Sequence, residues 1–591
     1  MLQAPLPIPD FGSGASPHTG APDVTLLLPE SPQSLVDATW NDLAPFFETL
    51  ASAPLSGETV EEWLQDWSRL MAVVEEAGTL AMIAYTCDTA DEAKETANLR
   101  WSSEIFPRIG EQNVRLAERL VALGWTRDDM AVVIREFRTD IEIFREENVP
   151  LFSELEEHVA AYQKLTGGLD AEWDGKRVTI PQLQPYLRER DRAVRERAFR
   201  RGAEAYLAHR DELAALFDTM FALRQRLAAN AGFANHMEYA FRAKHRFDYT
   251  PDDCARFHAA VEATAAPAVE RLMIHRRKSL GVETLRPWDT QVQLESDRPV
   301  RPFHDRAGFV EPAQRIFDAL DPELGAQFRT MAQEGLLDLE SRPGKAPGGY
   351  CTKLPWRGKP FIFMNAVGVP DDVNTLVHEA GHSFHDFAAN RQPLIWLRGT
   401  GHEAAELASM SMELLVTPYL QQPLGYYTPS EARAVEIEQL EDVLGSLVHI
   451  ASVDAFQRWI YTSGEGHDAA ARDAAWLRLR SRFERGVDWS GLEAERVARW
   501  YRQLHIFELP FYYIEYGIAQ LGALQLWRDA QQDPAATMQR YKRALALGGT
   551  RGLPEIYAAA GARLIFDEAG MGELVSLVEQ RLVALRQGDS D

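Results

Sequence analysis

The chain has 591 residues, with 62 lysines and arginines against 88 aspartates and glutamates, a net charge of −26. Hydrophobic residues make up 46% and charged residues 25%, an ordinary globular composition long enough to bury large cores. The acidic balance argues against nucleic acid or an anionic membrane surface as a partner, since both need clustered Lys and Arg.

In chain order, residues 1–22 are rich in Pro, Gly, Ser and Ala and read as a flexible tail. The first Lys or Arg is Arg69, so the pattern lacks the positive start of a secretory signal and the arginines of a transit peptide. No apolar run approaches about 18 residues, and no membrane-crossing helix is expected. The three cysteines, Cys87, Cys254 and Cys351, are too few and too scattered for a disulfide framework. Together these features predict reduced thiols in a cytoplasmic protein.

Helical periodicity begins near residue 34. The stretch 59–80 places Trp63, Trp67, Leu70 and Val74 on one face. Similar amphipathic stretches follow at 89–101, 110–123, 127–147 and 152–166. Asp174-Gly175 followed by a β-branched run at 177–180 predicts one side of a small hairpin. A long charged helix is predicted over 190–227. Arg286-Pro287 breaks the pattern, and residues 341–369 are rich in Gly and Pro. Within them, 360–365 (PFIFMN) reads as a strand. From Asp371 to the end the pattern is almost wholly helical. The fold class is therefore mostly α, with a small β region just before the most informative motif. The division suggested is a tail at 1–22, an N-terminal helical lobe at 23–186 and a catalytic region at 187–591.

That motif is His378-Glu379-Ala380-Gly381-His382. Residues four apart on a helix share a face, so both imidazoles can reach one metal ion. Glu379 can lean over the open position and take a proton from water. A catalytic zinc needs a third protein ligand. The metzincin pattern would need Gly at 385 and His at 388, where this chain has His385 and Ala388. His385 lies another turn along, and one helix does not easily wrap three imidazoles around one ion. The remaining candidates are Glu403, Glu406 and Glu413 in a following apolar segment, and spacing alone does not choose between Glu403 and Glu406. Burial of an acid among alanines, leucines and methionines calls for a partner such as a metal.

The run from His378 to His385, followed by Glu406-Leu407-Ala408-Ser409 and Glu413, resembles the thimet oligopeptidase and oligoendopeptidase F family of zinc metallopeptidases. The resemblance implies that Glu406 is the third ligand to one zinc per chain and that Glu413 supports the ligands. It also implies two helical lobes around a deep substrate channel. Upstream, Gly348, Gly349 and Tyr350 with Phe363 look like the family's glycine-rich loop and substrate-lining edge strand. Downstream, His505 followed by Tyr512, Tyr513 and Tyr516 resembles its substrate-contacting segment. There the chain departs from the pattern: the His-to-Tyr spacing is about one residue longer, and Ile514 stands where a tyrosine is expected.

The family implies hydrolysis of internal bonds in short peptides. Glu379 serves as general base, His505, Tyr512 and Tyr516 stabilise the oxyanion, and Tyr513 contacts substrate. Two rival functions fit the same motifs. A zinc carboxypeptidase of similar build would need a cationic clamp for a free C-terminus. A silent peptide binder would be expected to lose Glu379 or a ligand, and this chain keeps them all.

Overall fold

A computed structural model describes residues 26–29, 31–294 and 300–588. The expected tail at 1–22 lies outside the described residues. The chain is mostly helical, with two small sheets among the described residues. It packs as two units, each assembled from three stretches: Met1–Glu142, Val300–Ala432 and Gly522–Arg563 form one, and Ile143–Pro299, Arg433–Leu521 and Leu564–Asp591 the other.

The first unit is built on the helix Val60–Cys87. Trp63, Trp67, Leu70 and Val74 face a core that also takes Phe47, Trp101 and Leu397. By length and composition this helix is apolar enough to cross a membrane. Glu75 and Glu76 interrupt its apolar run short of about 18 residues. Its packing is that of a core helix: Glu76 is enclosed and accepts the backbone N–H groups of Trp356 and Arg357 at 2.8 and 3.0 Å. Burying each large apolar side chain here contributes about 1.5–3 kcal/mol.

The second unit holds the hairpin. Strands β1 (Asp170–Trp173) and β2 (Lys176–Thr179) pair antiparallel. Asp174 and Gly175 both take positive φ, 51° and 77°, as a two-residue hairpin turn requires. The predicted long helix over 190–227 is two helices, Arg192–Ala208 and Arg210–Asn230. His209 interrupts them, leaving the helical region at φ −111°, ψ 14°.

The other sheet belongs to the first unit and comprises β3 (Leu337–Glu340), β4 (Tyr350–Leu354) and β5 (Lys359–Ala366), in the order β3-β5-β4. β5 runs parallel to β3 and antiparallel to β4. The edge strand on this side is therefore β4. The strand at 360–365, expected at the edge, is central, and Phe363 is fully enclosed. Its ring stacks on Tyr350 at 4.8 Å, and the Lys345 ammonium lies 4.3 Å from its centroid. Phe363 thus supports the glycine-rich loop from beneath and does not line a substrate surface.

After β5 the chain enters the motif helix, Pro370–Ala389. Proline at the first position and acids in the first turn favour this start. One oxygen of Asp372 collects the backbone N–H groups of Val367, Gly368 and Val369 at 2.8, 2.8 and 2.9 Å. Val373, Leu376, Val377, Ala380 and Phe384 bury the opposite face, with Phe384 edge-on to Phe317.

Candidate active site

The motif helix crosses the helix His402–Leu415 with almost no space between their backbones. A Cβ at Gly381 would lie 2.6 Å from Ser409 Cα and 2.8 Å from the Ala408 carbonyl oxygen. Glycine is required by this approach, and the approach carries Glu406 to the two histidines. Tyr541 fixes the second helix by donating its hydroxyl to the Ala408 carbonyl at 2.9 Å.

Three donor atoms, one each from His378, His382 and Glu406, lie within 4.8 Å of one another. Glu406 Oε2 is 3.4 Å from His378 Nε2 and 3.7 Å from His382 Nε2. Donors around a tetrahedral ion at about 2.1 Å are separated by about 3.4 Å, so the spacing suits a metal the size of zinc. Two imidazoles and one carboxylate also match the ligand chemistry of a catalytic site. Glu403 is buried on the same helix, but it is not in this group, and its carbonyl accepts the Tyr557 hydroxyl at 3.2 Å. His385 is buried outside the group, its pKa pushed down to about 3 by burial and then by Lys353.

Supporting residues orient the three donors. His378 Nδ1 bonds Glu413 Oε1 at 2.6 Å, which turns Nε2 towards Glu406. Glu413 is held in turn by Asn374, whose amide donates to Oε2 at 3.0 Å. Ser409 donates to Glu406 Oε2 at 3.0 Å. Burial disfavours the charged form of His378, but Glu413, with Glu406 and Glu379, outweighs it and lifts the pKa to about 9. His382 is driven well below its usual range by burial, with His378 adding.

Glu379 is also buried. Burial lifts its pKa to about 7, with Glu406 adding, while His378 and a hydrogen bond from the Cys351 backbone oppose the rise. The Cys351 backbone, on β4, lies beside Glu379, and its thiol lies 3.4 Å from the Ser383 hydroxyl. Cys351 closes the segment that resembles the glycine-rich loop, but its sequence does not mark it as a neighbour of Glu379.

The glycine-rich loop is anchored by the enclosed ammonium of Lys345, which donates to the carbonyls of Asp338 and Glu340 at 3.0 Å each and to that of Met364. Gly348 takes φ +94°, and its carbonyl accepts the Asn365 amide at 2.9 Å. Gly349 approaches the Phe363 carbonyl, which a Cβ would meet at 3.4 Å. The Tyr350 hydroxyl is engaged by Thr86 Oγ1 at 2.7 Å.

In the second unit, His505 and the three tyrosines form one aromatic group. The His505 ring lies 5.9, 4.8 and 6.1 Å from Tyr512, Tyr513 and Tyr516. Phe511, at φ +64°, turns the chain sharply between His505 and the helix Tyr513–Ala530. The three tyrosines are half-buried, whereas Ile514 is fully buried in the core. A tyrosine at 514 would therefore face the interior, which accounts for the departure from the expected pattern. Burial lowers the His505 pKa to about 4, with Lys244 adding, so the ring is neutral near pH 7.

Residues 186–575 match Peptidase family M3, and residues 35–129 match the Peptidase M3 N-terminal domain. The chain belongs to peptidase family M3. An oligoendopeptidase F homolog of Borreliella burgdorferi is 20% identical over 539 residues, spanning 85% of this chain and 87% of its own. Among solved structures, PZ peptidase A with an inhibitor superposes with a TM-score of 0.86 at 26% identity, over 92% of this chain and 97% of that one. Oligoendopeptidase-F from Enterococcus faecium shares the fold, with a TM-score of 0.63 at 16% identity over 94% and 99% of the two chains. As an M3 member the chain is a peptidase of oligopeptides, and M3 is a metallopeptidase family, in keeping with the donor set built by the two crossing helices.

Proposed function

We propose that this M3 peptidase is a zinc-dependent endopeptidase, cytoplasmic, that hydrolyses internal bonds of short peptides. The observation that carries the reading is the convergence of His378, His382 and Glu406 beside a buried Glu379. These three residues would hold one zinc, which when bound supplies Lewis-acid polarisation and a more acidic water. Glu379 accepts the proton of the attacking water and returns it to the leaving amine.

An extended peptide takes its main-chain bonds from the open edge of β4 and the loop at Gly348, Gly349 and Tyr350. His505, Tyr512 and Tyr516 donate to the carbonyl oxygen as charge develops on it, and Tyr513 contacts the substrate. Glu379→Gln tests the reading. It is expected to keep one zinc per chain by metal analysis while turnover falls by about 10²–10⁴-fold. Near-normal turnover would remove Glu379 from the chemistry.

A further inference from the structure

His505 stands at the end of a line of side-chain hydrogen bonds within the second unit. Arg480, on the helix Ala469–Phe483, donates from Nη1 to Nδ1 of His449 at 3.1 Å. His449, on the helix Pro429–Thr462, bonds through Nε2 to Gln503 Oε1 at 2.9 Å. Gln503 bonds through Nε2 to Nδ1 of His505 at 3.0 Å.

The direction of this line is fixed at its arginine end. A guanidinium only donates, so His449 Nδ1 must accept. A neutral imidazole carries a single N–H, which then sits on Nε2 and goes to the Gln503 oxygen. That settles the orientation of the amide, whose NH₂ group turns to His505. An amide NH₂ only donates, so His505 Nδ1 accepts and its own proton stays on Nε2. Both rings are neutral, as the argument requires: burial, Arg480 and Arg499 bring His449 down to about 3, and burial with Lys244 brings His505 down to about 4.

The arginine end of the line is anchored. Arg480 is 3% exposed and donates from Nη2 to Glu484 at 2.6 Å. Glu484 also takes Arg499 at 2.8 Å and Arg496 at 3.1 Å, so Arg480 has little freedom to turn. Within the line, the Gln503 side chain lies beside the Tyr513 hydroxyl and offsets part of the rise that burial gives its pKa. The Tyr513 ring stands perpendicular to His449 at 5.4 Å.

We propose that Arg480, His449 and Gln503 are positioning residues that hold His505 in its Nε2–H tautomer, so that a donor and not a lone pair faces the substrate carbonyl oxygen. The opposite tautomer would set a lone pair against a developing negative charge. The proposal rests on the reading that His505 touches the substrate, and the test separates the two.

The test is the imidazole ¹⁵N spectrum of histidine-labelled full-length enzyme, with His505→Gln used to assign the His505 signals. In the wild type, a protonated Nε2 and an unprotonated, hydrogen-bonded Nδ1 are expected. A proton on Nδ1 would overturn the proposal without reliance on any further variant. Gln503→Leu should leave a mixture of tautomers and lower kcat by about 10–100-fold with KM nearly unchanged. Gln503→Glu offers only acceptors, so it should draw the proton to Nδ1 and lower kcat as well. If Gln503→Leu is folded and active but its spectrum matches the wild type, the line does not set the tautomer. His505→Ala tests the underlying reading. Full kcat there removes His505 from the substrate and the catalytic purpose of the relay with it, while the ¹⁵N spectrum still reports whether the hydrogen-bond direction is right.

Discussion

Glu403 and Glu406 lie three residues apart on one apolar helix, and both are buried. Only Glu406 comes within 4.8 Å of the donor atoms of His378 and His382. Glu406→Ala is therefore expected to weaken zinc binding by at least about a hundredfold, and Glu403→Ala to leave it nearly unchanged. Chelator competition measures both. The histidine pair was legible in the sequence because helical periodicity is local, whereas periodicity could not separate two acids on one face. The resemblance pointed to Glu406, and the crossing at Gly381 supplies the physical reason. The place of Cys351 beside Glu379 was not legible, because a backbone contact carries no residue signature. Phe363 was legible as apolar but not as enclosed, since a strand's composition does not say which neighbours will flank it.

At the scale of elements, the site depends on how closely two helices approach. Gly381 has no room for a methyl group, and the atoms it would meet, Ser409 Cα and the Ala408 carbonyl oxygen, are backbone. Gly381→Ala is expected to cost about 1–3 kcal/mol, as overpacked sites do, and to weaken zinc binding by moving Glu406 away. Urea unfolding and metal titration of the same variant check both effects. Elements defined by neighbouring residues were readable in advance. The hairpin at Asp174-Gly175 follows from turn chemistry, and the motif helix from its proline, its acids and its apolar face. The strand order β3-β5-β4 was not readable, because pairing joins residues far apart in the chain. Hence the edge lies at β4 and not at residues 360–365.

At the scale of the molecule, each unit is assembled from three separated stretches. Such grouping is decided by long-range packing, which leaves no local signal, whereas the mostly helical class was evident from periodicity. Buried neutral histidines give the second unit a pH dependence. Burial, as the leading cause, holds His236 and His449 at about 3 and His505 at about 4. Each folded value lies below the unfolded value of about 6.5, so in between the unfolded chain binds more protons. Their stabilising contribution is complete above about pH 6.5 and is lost as pH falls from there towards about 3. This loss is opposed in the same window by the raised carboxyls of Glu75 and Glu379, which gain stability as they protonate. The direct check is therefore the imidazole titration in the folded chain: these rings should stay neutral down to about pH 5, and titration near about 6.5 would contradict it.

The central claim, metal-dependent cleavage of internal peptide bonds, is tested most directly by mass analysis of products from a short internally quenched peptide blocked at both ends. The zinc-loaded enzyme is expected to cut it at an internal bond, and blocking the C-terminus should not slow the reaction. An untouched blocked peptide, alongside removal of single residues from one with a free C-terminus, would contradict the claim and make the chain a carboxypeptidase.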